Sequence, residues 1–277
     1  MTSKLIPSNP EDVMVIRDIA PGVTTLSVPF LRFGRIKIGG RATIVKLQSG
    51  SLAVFSPVAL TPTVQSKLAS ISPNPPTTYL IAPDMEHHIF LSPWAAAFPA
   101  HHIIGPEGLA EKRAEQNRTD KSVTILDFKT IFTAKGKENV RVSEEFDREF
   151  EYEFVDAHPN KELVFCHKPS KTLIEADLIF NLPATEQYSR VPGQDATSGW
   201  ATKIFGALQN TRGTAIWQKR MLWYAFGSKD RAGFNASMRK INTWDFVNLV
   251  PCHGETLVGD GKTVFEKVAG WHLEGKK

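Results

Sequence analysis

Apolar positions in this chain switch between two spacings, one suited to strands and one to helices. Residues 23–30, 41–48 and 51–55 cluster or alternate their apolar side chains, the pattern of strands. Ser49-Gly50 joins the last two and offers the positive-φ residue that a tight turn needs, so 41–55 is predicted to be a hairpin. Residues 61–69 change to helical spacing, with Thr61 placed to cap the first free N–H groups and Pro62 at the first helical position, where a missing N–H costs nothing. The prolines of 72–76 end that helix. The short apolar run 77–82 then reads as a buried strand leading directly into Pro83-Asp84-Met85-Glu86-His87-His88. Titratable groups at the end of a buried strand are where α/β folds carry their sites.

The alternation then repeats. Residues 89–97 predict a helix, 101–104 a strand, 107–120 a helix with a loop, and 122–128 a strand. Residues 149–155 alternate as an edge strand whose Glu151 and Glu153 should face solvent, and 162–167 pairs with 172–179 in a second hairpin. From 198 to 226, aromatic residues recur at helical spacing with basic interruptions, which predicts two helices broken near Gly213. A helix over 229–241, a strand over 246–250 ending in Pro251-Cys252-His253-Gly254, and a helix over 262–270 close the chain. The simplest architecture is a two-half α/β sandwich. Residues 1–20 read as an N-terminal lead and 21–277 as a single domain with a helical insertion at about 198–241.

Composition adds bounds. Hydrophobic residues make up 42% and charged residues 22%, enough for a sizeable core. The net charge of +4 arises from basic residues interleaved with acids, as in Glu144-Glu145-Phe146-Asp147-Arg148-Glu149, so no nucleic-acid partner is expected. Cys166 and Cys252 stand far apart without metal-finger spacing, which fits a reducing compartment. The first thirty residues lack a secretory pattern and no apolar run is long enough for a transmembrane segment, so a cytoplasmic location is expected. Gly34, Gly39 and Gly40 among Arg32, Arg35, Lys37 and Arg41 lack a phosphate-loop fingerprint and read as a basic β-turn at a rim.

Metal-competent side chains gather in three places: Asp84, Glu86, His87 and His88; Asp177; and His253. Zinc needs three or four converging N or O donors, and these segments supply them. Each piece also has a plain structural reading. Asp177 can serve as a turn residue, His158 before Pro159 as a loop histidine bonded to backbone, and His253 as a satisfied core histidine. Trp200, Phe205, Trp217, Trp223, Tyr224 and Phe226 at helical spacing suit a core, and 217–223 also suits a short basic amphipathic helix for a membrane or partner.

In their order, four stretches resemble the metallo-β-lactamase superfamily. They are Leu80-Ile81-Ala82-Pro83-Asp84-Met85-Glu86-His87-His88-Ile89, Asp156-Ala157-His158-Pro159, Leu173-Ile174-Glu175-Ala176-Asp177-Leu178, and Val250-Pro251-Cys252-His253-Gly254. In that family a buried strand ends in His-x-His-x-Asp-His, a later His precedes a hairpin, an Asp follows its second strand, and a His ends a late strand. The resemblance covers about 23–268 and implies a four-layer αβ/βα sandwich; in detail it is to a divergent branch of unassigned function. With His88 on the last histidine of the motif, His87 replaces its Asp, while Met85 and Pro83 replace its first two histidines. One metal site then lacks two ligands and the other keeps His87, His88, Asp177 and His253. The resemblance therefore implies one zinc ion rather than two, with iron as the other candidate.

Glu86, Asp84 and His158 are additional candidates that would rebuild a second site. His87 and Asp177 carry the catalytic expectation, with Asp177 orienting water. The implied activity is hydrolysis of a small organic substrate, an ester, thioester or lactone, by a metal-bound hydroxide. The alternative is a non-hydrolytic, vestigial member that binds a small molecule in the former active-site cleft. In the family the insertion after the Asp lies over the active site, which implies that part of the aromatic set walls the substrate.

Overall fold

In the computed structural model, which describes residues 4–276, the first half of the chain supplies nine strands. These are β1 (Val15–Ala20), β2 (Val23–Val28), the two-residue β3 (Leu31–Arg32) and β4 (Ile36–Lys37), β5 (Gly40–Lys46), β6 (Leu52–Phe55), β7 (Thr78–Ile81), β8 (His101–Pro106) and β9 (Phe128–Phe132). Seven of them pair in the order β1-β2-β5-β6-β7-β8-β9, and β3 with β4 forms a separate small hairpin. The predicted hairpin is β5–β6, antiparallel with Thr43 opposite Phe55. From β6 to β9 the strands run parallel, and parallel neighbours need a crossover. Helices α1 (Pro62–Ile71), α2 (Leu91–Ala97) and α3 (Leu109–Thr119) lie in those connections, α1 capped by Thr61, whose side chain accepts the Val64 N–H.

The second half builds a four-stranded sheet, β10 (Phe150–Val155), β11 (Glu162–His167), β12 (Thr172–Ile174) and β13 (Asn248–Val250), in that order. Its helices are α4 (Glu144–Glu149), α5 (Thr185–Tyr188), α6 (Trp200–Leu208), α7 (Ile216–Met221), which continues as a π-helical turn over Leu222–Phe226, α8 (Arg231–Asn242) and α9 (Gly261–Glu274).

Period two along the strands makes the layers. Ala53 and Phe55 of β6 face a core shared with Phe154, Leu163 and Phe165 of the second sheet, while Leu52 and Val54 face outward to Val64, Leu68 and Trp94. On the far side Val164, Cys166 and Leu173 pack against Phe234, Met238, Phe265 and Val268 of α8 and α9. The result is helix, sheet, sheet, helix. Phe55, Phe132, Phe146, Phe154 and Phe165 are buried between the sheets, and each such ring contributes about 1.5–3 kcal/mol by leaving water.

Three expectations change. Residues 15–20, read as part of the lead, form the edge strand β1, and Leu5 and Met14 join the outer core. The strand expected at 122–128 begins only at Phe128, because Phe128, Thr130 and Phe132 are the inward-facing alternation. Glu153 is 2% exposed rather than solvent-facing: α8 covers that face of β10, and Glu153 is held there by Lys240 at 2.7 Å and the Ser237 hydroxyl at 2.6 Å. Among the described residues no helix is long and apolar enough to cross a membrane.

Candidate metal centre

The polar cluster after β7 is organised by Asp84, which is fully buried. Its Oδ1 accepts the backbone N–H groups of Glu86 (2.7 Å) and His87 (2.8 Å), a turn that Asp forms readily. The same oxygen lies 2.8 Å from His87 Nδ1.

His253 follows β13, and several groups fix its loop. Buried Arg41 on β5 donates from Nη1 to the Pro251 carbonyl at 2.7 Å. Cys252 Sγ donates to Ser56 Oγ at 2.9 Å, and burial pushes that thiol well up. Gly254 has φ +87°, and a Cβ there would fall 2.1 Å from the Asn181 carbonyl oxygen, so only glycine fits. The His253 ring stacks on Phe180 at 4.8 Å and donates from Nδ1 to the Gly39 carbonyl at 2.7 Å.

Asp177 ends the segment after β12. The buried Glu162 carboxylate accepts the N–H groups of Ala176 (2.6 Å) and Asp177 (3.2 Å) and so sets the backbone. Asn160 Nδ2 donates to Asp177 Oδ2 at 2.7 Å, and Arg32 Nη1 stands 4.0 Å from the same oxygen. Asp177 Oδ1 has no hydrogen-bond partner and lies 3.2 Å from His253 Nε2.

Ligand atoms of His87, Asp177 and His253 thus lie within 4.8 Å of one another. Gly39 O can only accept, so His253 carries its proton on Nδ1, and the Asp84 carboxylate favours the same tautomer in His87. When both rings are neutral, two Nε2 lone pairs face each other at 3.2 Å beside a carboxylate oxygen. Such a cluster needs a cation. Two imidazoles oriented through Nδ1 and a buried carboxylate with a free oxygen are a donor set that fits one divalent ion.

A proton on His87 is one such cation. Burial opposes charge on His87, but the charge and hydrogen bond of Asp84 raise its imidazole to about 9. Burial pushes Asp177 upward, yet His253 at 3.2 Å and the charges of His87 and Arg32 hold it well below the usual carboxylate range.

Of the candidates named from sequence, His87, Asp177 and His253 come together and the others do not. His88 is turned away, its ring held against buried Arg113, whose Nη1 lies 3.2 Å from His88 Nδ1 and donates to the His88 carbonyl at 2.9 Å. Burial and then the Arg113 charge drive His88 down to about 3, so it stays neutral. Glu86 lies at the rim and pairs with Lys112 at 2.8 Å. Asp84 holds His87 instead of joining the three donors. His158 is buried against Phe226, with Nε2 unpartnered, and is outside the cluster. Asn160, Gly39, Arg41 and Glu162 were not singled out for the site; a backbone carbonyl and residues from distant strands leave no local signal.

A cleft of about 290 Å³ opens over the three donors. Its walls are Leu5, Val28, Phe30, Phe33, Val58 and Phe90, with Lys4 and Arg32 as cations. No residue of 198–241 lines it, so the aromatic insertion is not the substrate wall; Phe205 packs against Phe180 and lies 5.9 Å from the Arg32 guanidinium. The basic turn foreseen at a rim is the β3–β4 hairpin that carries Arg32.

A family model described as a domain of unknown function, DUF4336, matches residues 33–193, more than half of the chain. The chain belongs to the DUF4336 family. That match takes in β4, Asp84, His87 and Asp177, while Arg32 on β3 and His253 lie beyond it. No curated protein matches the DUF4336 chain. Among solved structures, it is similar to a metal-soaked flavodiiron core from Synechocystis sp. PCC6803, with TM-score 0.59 and 13% identity, covering 94% of this chain and 61% of that one. A metallo-β-lactamase from Pontibacter korlensis aligns with TM-score 0.56 and 10% identity over 94% and 99% of the two chains. Another from Hirschia baltica gives 0.51 and 10% over 94% and 97%. The DUF4336 chain therefore has a metallo-β-lactamase-like fold.

Proposed function

We propose that this protein is a single-metal hydrolase of small organic molecules, with His87, Asp177 and His253 as the protein ligands of one zinc or ferrous ion. The observation that carries the reading is the opposition of the His87 and His253 Nε2 atoms beside the free oxygen of Asp177. A divalent ion with open positions supplies water activation and carbonyl polarisation. The chain does the rest. Asp84 and the Gly39 carbonyl fix the imidazole orientations, and Asn160 fixes the Asp177 carboxylate. The apolar walls of the cleft seat the body of a substrate and keep water from it, while Arg32 and Lys4 attract an anionic group on it. Esters, thioesters and lactones that also carry a carboxylate suit this combination.

One observation favours a second reading, in which the cleft binds a small molecule without hydrolysis: a proton on His87 also satisfies the cluster. Metal content separates the two. The hydrolase reading expects about one equivalent of zinc or iron per chain in wild type, lost in Asp177→Ala, followed by turnover in an ester, thioester and lactone screen. Arg32→Gln is then expected to raise KM for anionic substrates about tenfold, the loss of one charge-assisted contact. A wild type that takes up neither metal overturns the hydrolase reading.

A further inference from the structure

Helices α6 and α7, whose aromatic residues suit a core by spacing, turn Trp200 and Trp217 outward, while Phe205 and Leu222 pack inward. The residue that α6 buries is Thr202, whose Oγ1 accepts the Lys37 N–H at 3.1 Å. Its outward positions Trp200, Lys203, Ile204 and Ala207 follow the i, i+3, i+4, i+7 spacing of one helix face, with Trp200 77% exposed. In α7 the buried residue is Gln218, which donates to the Phe180 carbonyl at 2.9 Å. Outside lie Trp217, 50% exposed, Arg220 and, one turn on, Tyr224, 58% exposed. A helix that buries a polar residue while its tryptophan faces water is built for a cover.

Charge says what covers it. Residues 198–229 contain five basic residues, Lys203, Arg212, Lys219, Arg220 and Lys229, and no Asp or Glu, in a chain whose whole net charge is +4. The Arg220 guanidinium lies over the Trp217 ring at 4.6 Å and the Lys276 ammonium over Tyr224 at 4.7 Å, so cations and rings share the surface. A second copy of the chain is disfavoured, since a two-fold contact brings five like charges against five. Nucleic acid rewards stacked rings and cations but gains little from exposed aliphatic groups such as Ile204 and Ile216.

We propose that this face docks the protein on an anionic membrane surface. Trp200, Trp217 and Tyr224 sit at headgroup level, and Lys203, Lys219 and Arg220 meet lipid phosphates, with the chain lying on the bilayer rather than crossing it. No residue of this face lines the metal cleft, so the proposal stands apart from the hydrolase reading.

The test is co-sedimentation of the full chain with vesicles of phosphatidylcholine alone or mixed with phosphatidylglycerol. Binding is expected only to the mixed vesicles and is expected to weaken with salt. It should fall about fivefold for each of Lys219→Gln and Arg220→Gln, the effect of one basic side chain near an anionic surface, and about tenfold for each of Trp200→Ser and Trp217→Ser, the effect of one ring kept in water. An unchanged melting temperature shows that each variant folds; should a tryptophan variant fail to fold, the charge variants decide. Equal binding to both vesicle types, no vesicle binding, or binding of single-stranded RNA or polyaspartate through these residues without vesicle binding overturns it.

Discussion

His87 and His253 come from chain positions 166 residues apart and meet through their Nε2 atoms at 3.2 Å. Each ring has its Nδ1 engaged, on the Asp84 carboxylate and on the Gly39 carbonyl. The identity of the cation that resolves this contact, a metal ion or a proton on His87, determines what the cleft can do.

The adjacent histidines should therefore behave oppositely. His253→Ala is expected to abolish stoichiometric metal with little loss of fold, whereas His88→Ala keeps the metal and lowers stability by about 1–3 kcal/mol through the lost ring and its contact with Arg113. Elemental analysis beside a denaturant titration of each variant checks this. Metal lost in His88→Ala with stability unchanged would contradict the assignment.

Asp84→Asn retains an acceptor for the turn but removes the charge that holds His87. Metal affinity should fall about 10–100-fold while the fold persists, as for other groups that orient a ligand. Because both imidazoles must be neutral to ligate, affinity in wild type should also drop as pH falls. Competition with a chromogenic chelator across pH measures both effects, and pH-independent affinity would argue against histidine ligation.

Gly254→Ala is expected to cost more than about 2 kcal/mol, since the new Cβ meets the Asn181 carbonyl in a positive-φ residue. Displacement of the neighbouring His253 should lower metal content in parallel. A folded, fully metallated variant in the same titration would show that the loop tolerates a side chain.

His272, on α9 and away from the cleft, is buried against Phe234 and Trp223. Burial, then the Arg231 charge, pushes its imidazole from the ordinary 6.5 down to about 4. Between those values the unfolded chain binds a proton that the folded chain does not, so this contribution to stability is intact above 6.5 and is lost as pH falls towards 4. The slope of melting temperature against pH over that window should be shallower in His272→Gln; identical slopes would remove His272 as the cause.

The sequence by itself determined the alternation of Ala53 and Phe55 with Leu52 and Val54, the turn at Ser49-Gly50, the cap at Thr61 and the placing of Asp84–His88, Asp177 and His253 at strand ends. These depend on local periodicity and turn chemistry, which a chain carries in its own spacing. Only the tertiary structure decided which of two adjacent histidines enters the cluster, because Arg113 on α3 claims His88 and Asp84 claims His87. It likewise decided that Glu153 is covered, since α8 packs over an outer face that alternation alone marks as solvent. It also turned Trp200 and Trp217 outward, because the positions of α6 and α7 that meet the body of the protein include Thr202, Phe205 and Gln218. In each case spacing names the two faces of an element, and what lies opposite in space selects the one that is buried.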